Sequence, residues 1–413
     1  MRSNGWWVLA VCAVGAVRPA TSLAQAPAAP DPVATLVGRL DLERYKATIK
    51  GLTQFGDRRQ GTTRNRQAVD WIEQQLQSYG CPTERITYQY APLPPAPRPA
   101  GAPTPAANPN PAPRPDPVIA SGEVRAGPGG SRYRGITRRT GVNNDAALQP
   151  DERLRELNRE PTTPGERQQV YCTKVGATCP QEMYIIGAHM DGHGWGEAVN
   201  DNGSGTALVM ELARILNSPD VVTDVSIRFA LWNNEETGLD GAEAYVQQRA
   251  GLQGIESPPR SGAYPEPRWL GMIQHDMMMW DHGMPRADGT YNPEQRPEAD
   301  VNVEFQSVSL RADDSMKLAF FFRAANETYA TDYPAAVGPH MTNTDSTPFM
   351  DMVPAISLRE NERGMHTGAG WNPTWHQPID VFTTFSDKDF RLGLNAAQTT
   401  LGAIGQLAGA KLK

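Results

Sequence analysis

Apolar positions recur along the chain in two rhythms, and the places where one gives way to the other outline the architecture. In NRQAVDWIEQQLQSYG, residues 65–80, Val69, Ile72 and Leu76 fall at helical spacing and Gly80 supplies a stop. LERYKATIKGL, 42–52, has the same helical pattern, and CPTERITYQYA, 81–91, alternates as an edge strand does. From residue 166 short apolar runs (RQQVYCT, EMYIIGAH, VSIRFALW, WLGMIQHDMMM) alternate with longer helical stretches (GTALVMELARIL, GAEAYVQQRA). The pattern resumes as SMKLAFFFRAANETYA, FMDMVPAISL and a C-terminal helix from Asp387. Strands separated by helices at this spacing predict an α/β fold with a mostly parallel central sheet, mixed at the edges and flanked by helices on both faces. Such sheets carry their chemistry at the carboxyl ends of the strands.

One stretch breaks both rhythms. Residues 91–117 are too dense in proline for an ordinary helix or central strand, and 118–165 stay rich in Gly, Arg, Asn and Pro apart from a short helical candidate at DERLRELNR. The expected organisation is a leader at 1–24, a first part of one domain at 25–90, a proline- and glycine-rich insert at 91–165 and the main part of the same domain at 166–413. The leader reads as a secretory signal: Arg2, an apolar run through Val17, Arg18 and Pro19 to end it, and a small-residue site at Ser22-Leu23-Ala24. A secreted or periplasmic chain, with no membrane span once that signal is removed, is the expectation.

Charge and cysteine content narrow the partners. The chain of 413 residues has a formal charge of -7, and losing Arg2 and Arg18 makes it more negative, with no basic block to track a phosphate backbone. A nucleic-acid partner is not expected. Cys12 lies in the leader, Cys172 and Cys179 flank TKVGAT closely enough for a disulfide in an oxidising compartment, and Cys81 is the odd one.

The unusual polar residues share one location. His189 and Asp191 follow the strand-like YIIGA, Glu235 and Glu236 follow IRFALWNN, and Asp276 follows WLGMIQH, so three strands end in candidate ligands. Asp201, in NDNGSG ahead of a helix, is either part of a capping loop or a carboxylate able to bridge two cations. Oxygen ligands alone suit calcium or magnesium, whereas carboxylates together with histidines suit zinc. Neighbouring strand-end residues leave in different directions, so one glutamate of the pair can ligate while the other handles a proton.

These residues sit in GAHMD (187–191), NDNGSGTALVMELAR (200–214), LWNNEETGLDGAEAYV (231–246), HDM (275–277) and NPTWHQPIDVF (372–382), with FGDR (55–58) upstream. In this combination the chain resembles the di-zinc exopeptidases of clan MH, which include secreted leucyl aminopeptidases, aminopeptidase Y and the related plasma carboxypeptidases. The likeness covers residues 38–90 and 166–405 and leaves out the proline-rich insert. It implies the fold of a zinc exopeptidase and two zinc ions, one held by His189, Asp201 and Asp276 and the other by Asp201, Glu236 and His376. It further implies that Glu235 is the general base, that Asp191 orients His189, and that hydroxide bridging the zincs attacks a peptide carbonyl. Many relatives carry Ser-Asp-His where this chain has Asp345-Ser346, which leaves the outer support of the site open. Tyr329, Tyr333 and His340 are candidates for oxyanion contact, and Glu197, with Asp191, for holding a substrate ammonium. A metal-dependent aminopeptidase acting on peptides is the leading expectation. A carboxypeptidase or dipeptidase, a single-zinc glutaminyl cyclase and a non-catalytic binding ectodomain are the alternatives.

Overall fold

The computed structural model describes residues 31–91, 142–281, 301–330, 332–339, 344–360 and 372–413, with backbone alone at 125–126 and 132–133. The expected leader, His340 and residues 92–141 of the expected insert, apart from that backbone, lie outside the described residues. Everything below concerns the unit Pro32–Lys413.

Three helices open it: α1 (Pro32–Val37), α2 (Leu42–Thr53) and α3 (Thr63–Ser78). Asp41 caps α2 by accepting the Arg44 amide, and Thr62 caps α3 by accepting that of Asn65, which satisfies amides the first helical turn leaves over. Next come β1 (Thr83–Tyr90), the short pair β2 (Arg125–Ala126) and β3 (Arg132–Tyr133), and α4 (Glu152–Asn158). The main body runs β4 (Gly165–Lys174), β5 (Cys179–His189), α5 (Gly205–Leu216), β6 (Val221–Val222), β7 (Val225–Trp232), α6 (Asp240–Arg249) and β8 (Arg268–His275). It ends with β9 (Val301–Phe305), α7 (Ala312–Tyr329), β10 (Ala335–Gly338), β11 (Ala355–Glu360), α8 (Asp387–Leu407) and β12 (Lys411–Leu412).

Eight strands form one sheet in the order β1-β4-β7-β5-β8-β11-β9-β10. The middle of the sheet is parallel, β7 and β8 flanking β5 and β11 joining β8, while β1, β4 and the β11-β9 contact are antiparallel. This is the expected α/β architecture, mixed towards its edges. Alternate residues of each central strand enter separate cores. Ile186, Ala188, Ile227, Phe229, Leu231 and Ile273 pack with α1, α2, α3, α5, α7 and α8, whereas Ile185, Ala230, Trp232 and Met272 pack with Ala242 and Tyr245 of α6 and with Phe349. Burying each large side chain contributes about 1.5–3 kcal/mol, so a sheet covered twice is strongly held in register.

Two strands of the main sheet were not expected. In β9, VNVEF, Asn302 and Glu304 interrupt the apolar run, yet all five residues are buried and Asn302 Nδ2 donates to the Glu360 carbonyl on β11. In β10, AAVG, the small residues give little apolar signal.

The cysteine pairing needs correction. Cys81 is bonded to Cys172, and Cys179 is free. Sequence proximity favoured Cys172 with Cys179, but the sheet inserts β7 between their strands: Cys172 lies opposite Phe229 and Cys179 opposite Val225. Thr83 pairs with Cys172, which brings Cys81 alongside with a Cα–Cα separation of 5.7 Å.

Candidate active site

The carboxyl ends of β5, β7 and β8 lie side by side, and each supplies acidic or imidazole groups to one buried cluster. His189 ends β5; its Nε2 is 3.3 Å from Asp201 Oδ1 and 3.4 Å from Asp276 Oδ1. The other oxygen of Asp201, Oδ2, is 3.1 Å from His376 Nε2, which is in turn 2.9 Å from Glu236 Oε2. Asp201 therefore stands between two sets of ligand-type atoms, one oxygen to each.

Loop 190–204 carries Asp201 and is held from three sides. Arg58, fully buried, donates to the carbonyls of Met190 (2.7 Å), Glu197 (2.8 Å) and Ala198 (2.7 Å). Asp380 Oδ1 accepts the amides of Val199 and Asn200, and its Oδ2 accepts that of Asp201 at 3.1 Å. Gly194 has φ +99°, and a Cβ there would meet the His376 carbonyl carbon at 2.4 Å, so only glycine lets the loop pass against the backbone of His376. The signals for Arg58 and Asp380 were in FGDR and in HQPID, four residues beyond His376, but their role as loop anchors was not foreseen.

Asp191 receives the Glu235 amide on Oδ1 at 3.2 Å, and it is the Asp191 backbone carbonyl, 3.0 Å away, that meets His189 Nδ1; the carboxylate is 3.8 Å from that nitrogen. Gln274 donates to Asp345 Oδ2 at 2.9 Å, and Ser346 Oγ meets Ser357 Oγ at 2.9 Å. An amide–carboxylate contact from β8 thus occupies the ground below the cluster.

The remaining candidates lie elsewhere. Tyr333 OH donates to Asp281 Oδ2 (2.8 Å) and approaches the Lys388 carbonyl, while Tyr329 OH accepts from Gln406 and its ring packs on Gly402 of α8. Both hydroxyls are thus engaged with groups other than His189, Asp201, Glu236 and His376, and these contacts give no support to the oxyanion expectation for either. The two tyrosines lie at the C-terminal end of α7 and just beyond it, against α8. Glu197 Oε2 accepts the Phe382 amide at 2.8 Å, which commits its carboxylate to the loop after His376. One residue left out of the ligand inventory is close: His193 Nε2 is 2.9 Å from Glu236 Oε2, and its ring stands edge-on to His376 at 4.1 Å.

The electrostatics follow from crowding charges out of water. Burial and Asp201 act to raise Glu236, but His193 and His376 outweigh them and hold it at about 2. For Asp201, burial is overcome by His189 and His376, which keep it far below the usual carboxylate range. Burial opposes charge on His376, yet Glu236 and Asp201 raise it to about 10; the balance of burial against Glu235, Asp201 and Asp276 likewise raises His189. Glu235 goes the other way from its neighbour: burial, reinforced by Glu236 and opposed by His189, lifts its carboxyl well above the ordinary value. Burial also carries Asp191 up to about 7.

This donor set fits divalent cations. Ligand-type atoms of His189, Asp201 and Glu236, of His189, Glu235 and Asp276, and of His193, Glu236 and His376 each lie within 4.8 Å of one another. Among the described residues, Glu236 Oε1 is buried without a hydrogen-bond donor, an arrangement that is costly unless a cation faces it. Imidazole nitrogens mixed with carboxylate oxygens suit zinc.

Residues 170–397 match the model of peptidase family M28. The chain belongs to that family. Within it, this M28 chain is 43% identical over 76 residues to the probable lipoprotein aminopeptidase LpqL of Mycobacterium tuberculosis, a stretch that covers 18% of the chain and 14% of the relative. The match thus spans well under two thirds of that relative's length. In fold, the M28 chain is similar to an aminopeptidase from Aneurinibacillus sp. strain AM-1 (TM-score 0.56, 17% identity, covering 92% of this chain and 97% of that one). It is also similar to Porphyromonas gingivalis glutaminyl cyclase (TM-score 0.53, 14% identity, covering 89% and 99%). At such identities both likenesses speak for the fold alone.

Proposed function

We propose that this M28 chain is an exported two-zinc aminopeptidase that removes residues from the amino end of peptides. The observation that carries the two-metal reading is Asp201, whose oxygens face His189 at 3.3 Å and His376 at 3.1 Å. His189, Asp201 and Asp276 would hold one ion; Asp201, Glu236 and His376 would hold the other. Zinc bound there supplies Lewis-acid polarisation of a peptide carbonyl and makes water more acidic. The chain's own contribution is then proton handling and positioning. Burial raises the proton affinity of the Glu235 carboxyl, and the positive charge of bound cations would oppose that rise, leaving a carboxylate able to take a proton from water and return it to the departing amine. The Glu235 amide on Asp191 and the His189 ring on the Asp191 carbonyl tie the base to a ligand strand, so that base and ligand keep a fixed separation.

Export is supported by the leader-like residues 1–24 and by the Cys81–Cys172 disulfide, which suits an oxidising compartment. Among the described residues, no helix is long and apolar enough to cross a membrane. The aminopeptidase direction is supported by relatives such as LpqL, a probable lipoprotein aminopeptidase. Metal analysis after exhaustive dialysis tests the two-ion reading: about two zinc ions per chain are expected, and a tight stoichiometry of one, with cyclisation of N-terminal glutamine, would sink it.

A further inference from the structure

A cavity of about 240 Å³ opens from the cluster, lined by Asp191, His193 and Glu236 but also by Arg59 and Arg167. The two arginines have no place in the metal chemistry. Arg167 is 4% exposed, and among the described residues its guanidinium donates to neutral acceptors: Gln60 Oε1 at 2.7 Å and the carbonyls of Thr163, Gly165 and Glu166. Its plane also lies over Tyr90, 5.1 Å from the ring centroid. Among the described residues neither Arg59 nor Arg167 forms an ion pair with a carboxylate; Asp240 acts on Arg167 only from a distance, and Arg66 adds a further positive charge to the same neighbourhood. Arg59 is half-buried, and its backbone amide, not its guanidinium, is bonded to Asp57. A buried guanidinium without a counter-ion is expensive, and placing one on a substrate cavity makes sense where the counter-ion arrives with the substrate.

We propose that this cavity selects substrates bearing a carboxylate, with half-buried Arg59 as the donor and Arg167 as the fixed charge that favours an anion there. The carboxylate is either an acidic side chain at the N-terminal residue or the free C-terminus of a very short peptide. Guanidinium matches carboxylate geometry in bidentate fashion, which lysine does not. Residues Thr162, Thr163 and Pro164 line the same cavity, and the Thr163 carbonyl holds Arg167, so the tail of the segment between β1 and β4 shapes this pocket. The proposal rests on the aminopeptidase reading for the placement of the scissile bond, and not for the carboxylate contact itself.

The test compares zinc-loaded full-length protein with Arg59→Ala and Arg59→Lys, all checked for equal zinc content. Substrates are Leu-Leu-amide as the neutral reference, Glu-Leu-amide, Leu-Leu with a free C-terminus, and acetyl-Leu-Leu with a free C-terminus. At least one carboxylate substrate is expected to exceed the reference in kcat/KM by about tenfold or more. Arg59→Ala should bring that ratio close to one and Arg59→Lys should restore part of it. The arm that responds tells the side chain from the C-terminus. A ratio near one in the parent protein, or a ratio unmoved by Arg59→Ala, overturns the proposal. Binding of non-hydrolysable phosphinic dipeptide analogues, acid against amide, is measured by calorimetry on the same proteins. Arginine-dependent preference for the acid form together with cleavage of only the acetylated substrate would support the pocket and defeat the aminopeptidase reading. Cleavage of free-amine substrates with no acid preference in either assay would do the reverse.

Discussion

Glu235 and Glu236 differ by one position along the chain and by everything that faces them. Glu236 lies against two imidazoles and stays ionised, whereas Glu235 is pushed towards the neutral acid by burial and by its neighbour's charge. Glu235→Gln is therefore expected to lower kcat by about 10²–10⁴-fold with zinc content unchanged, as read by steady-state rates beside metal analysis. Asp201→Asn should act on the other quantity, with zinc lost on dialysis, because an amide cannot offer two anionic oxygens. The raised imidazoles give a pH dependence with a definite sign. His376 binds its proton up to about pH 10 in the ion-free cluster, and a ligating nitrogen must shed that proton, so zinc loading at neutral pH releases protons and affinity rises with pH. Titration calorimetry in buffers of different ionisation enthalpy measures this directly; proton uptake, or affinity that falls as pH rises, would contradict it. At this scale the ligand set was legible because strand-end His, Asp and Glu are few and stand in recognisable motifs. The partners of Tyr329, Tyr333 and Glu197 were not, since nothing local in their sequence says that α8 or the Phe382 amide will claim their polar atoms.

The elements explain how a loop full of glycine holds a ligand still. Asp201 is on neither strand nor regular helix, and its position depends on Arg58 beneath loop 190–204, on Asp380 accepting three of its amides and on Gly194 passing His376. Gly194→Ala introduces both a strained φ and a clash with His376, and is expected to weaken zinc binding and activity together while the melting transition stays cooperative. Full zinc retention by that variant would show that the close approach does not position His376. The strand and helix pattern was readable from β5 to α6 because long apolar runs alternate with amphipathic ones. It failed at β9 and β10, where buried polar or small residues carry no period, and at the disulfide, where strand order rather than sequence distance decides which sulfurs meet. Cys81→Ser removes a cross-link spanning 91 residues and should cost about 2–5 kcal/mol of stability in denaturant unfolding; Cys179→Ser should change it by less than about 1 kcal/mol.

For the whole molecule, the sheet does two things at once. Its doubly covered parallel centre fixes three strand ends within a few ångströms, and its antiparallel flank of β4 and β1 brings Arg167 and Tyr90 to the edge of the same cavity. The metal-type cluster thus sits at the carboxyl ends of the central strands, and the arginine wall is built partly from residues 162–164, which the sequence placed in the proline- and glycine-rich insert. The fold class was legible because periodicity is a global property of the chain, while the cavity was not, because it joins residues from 59 to 237 that share no pattern. The most direct test of the account is the product released by the zinc-loaded protein from matched peptides that are free or acetylated at the amino end. The account predicts stepwise loss of residues from the free amino terminus and an intact acetylated peptide. Equal cleavage of both, or release of residues only from the carboxyl end, would contradict it.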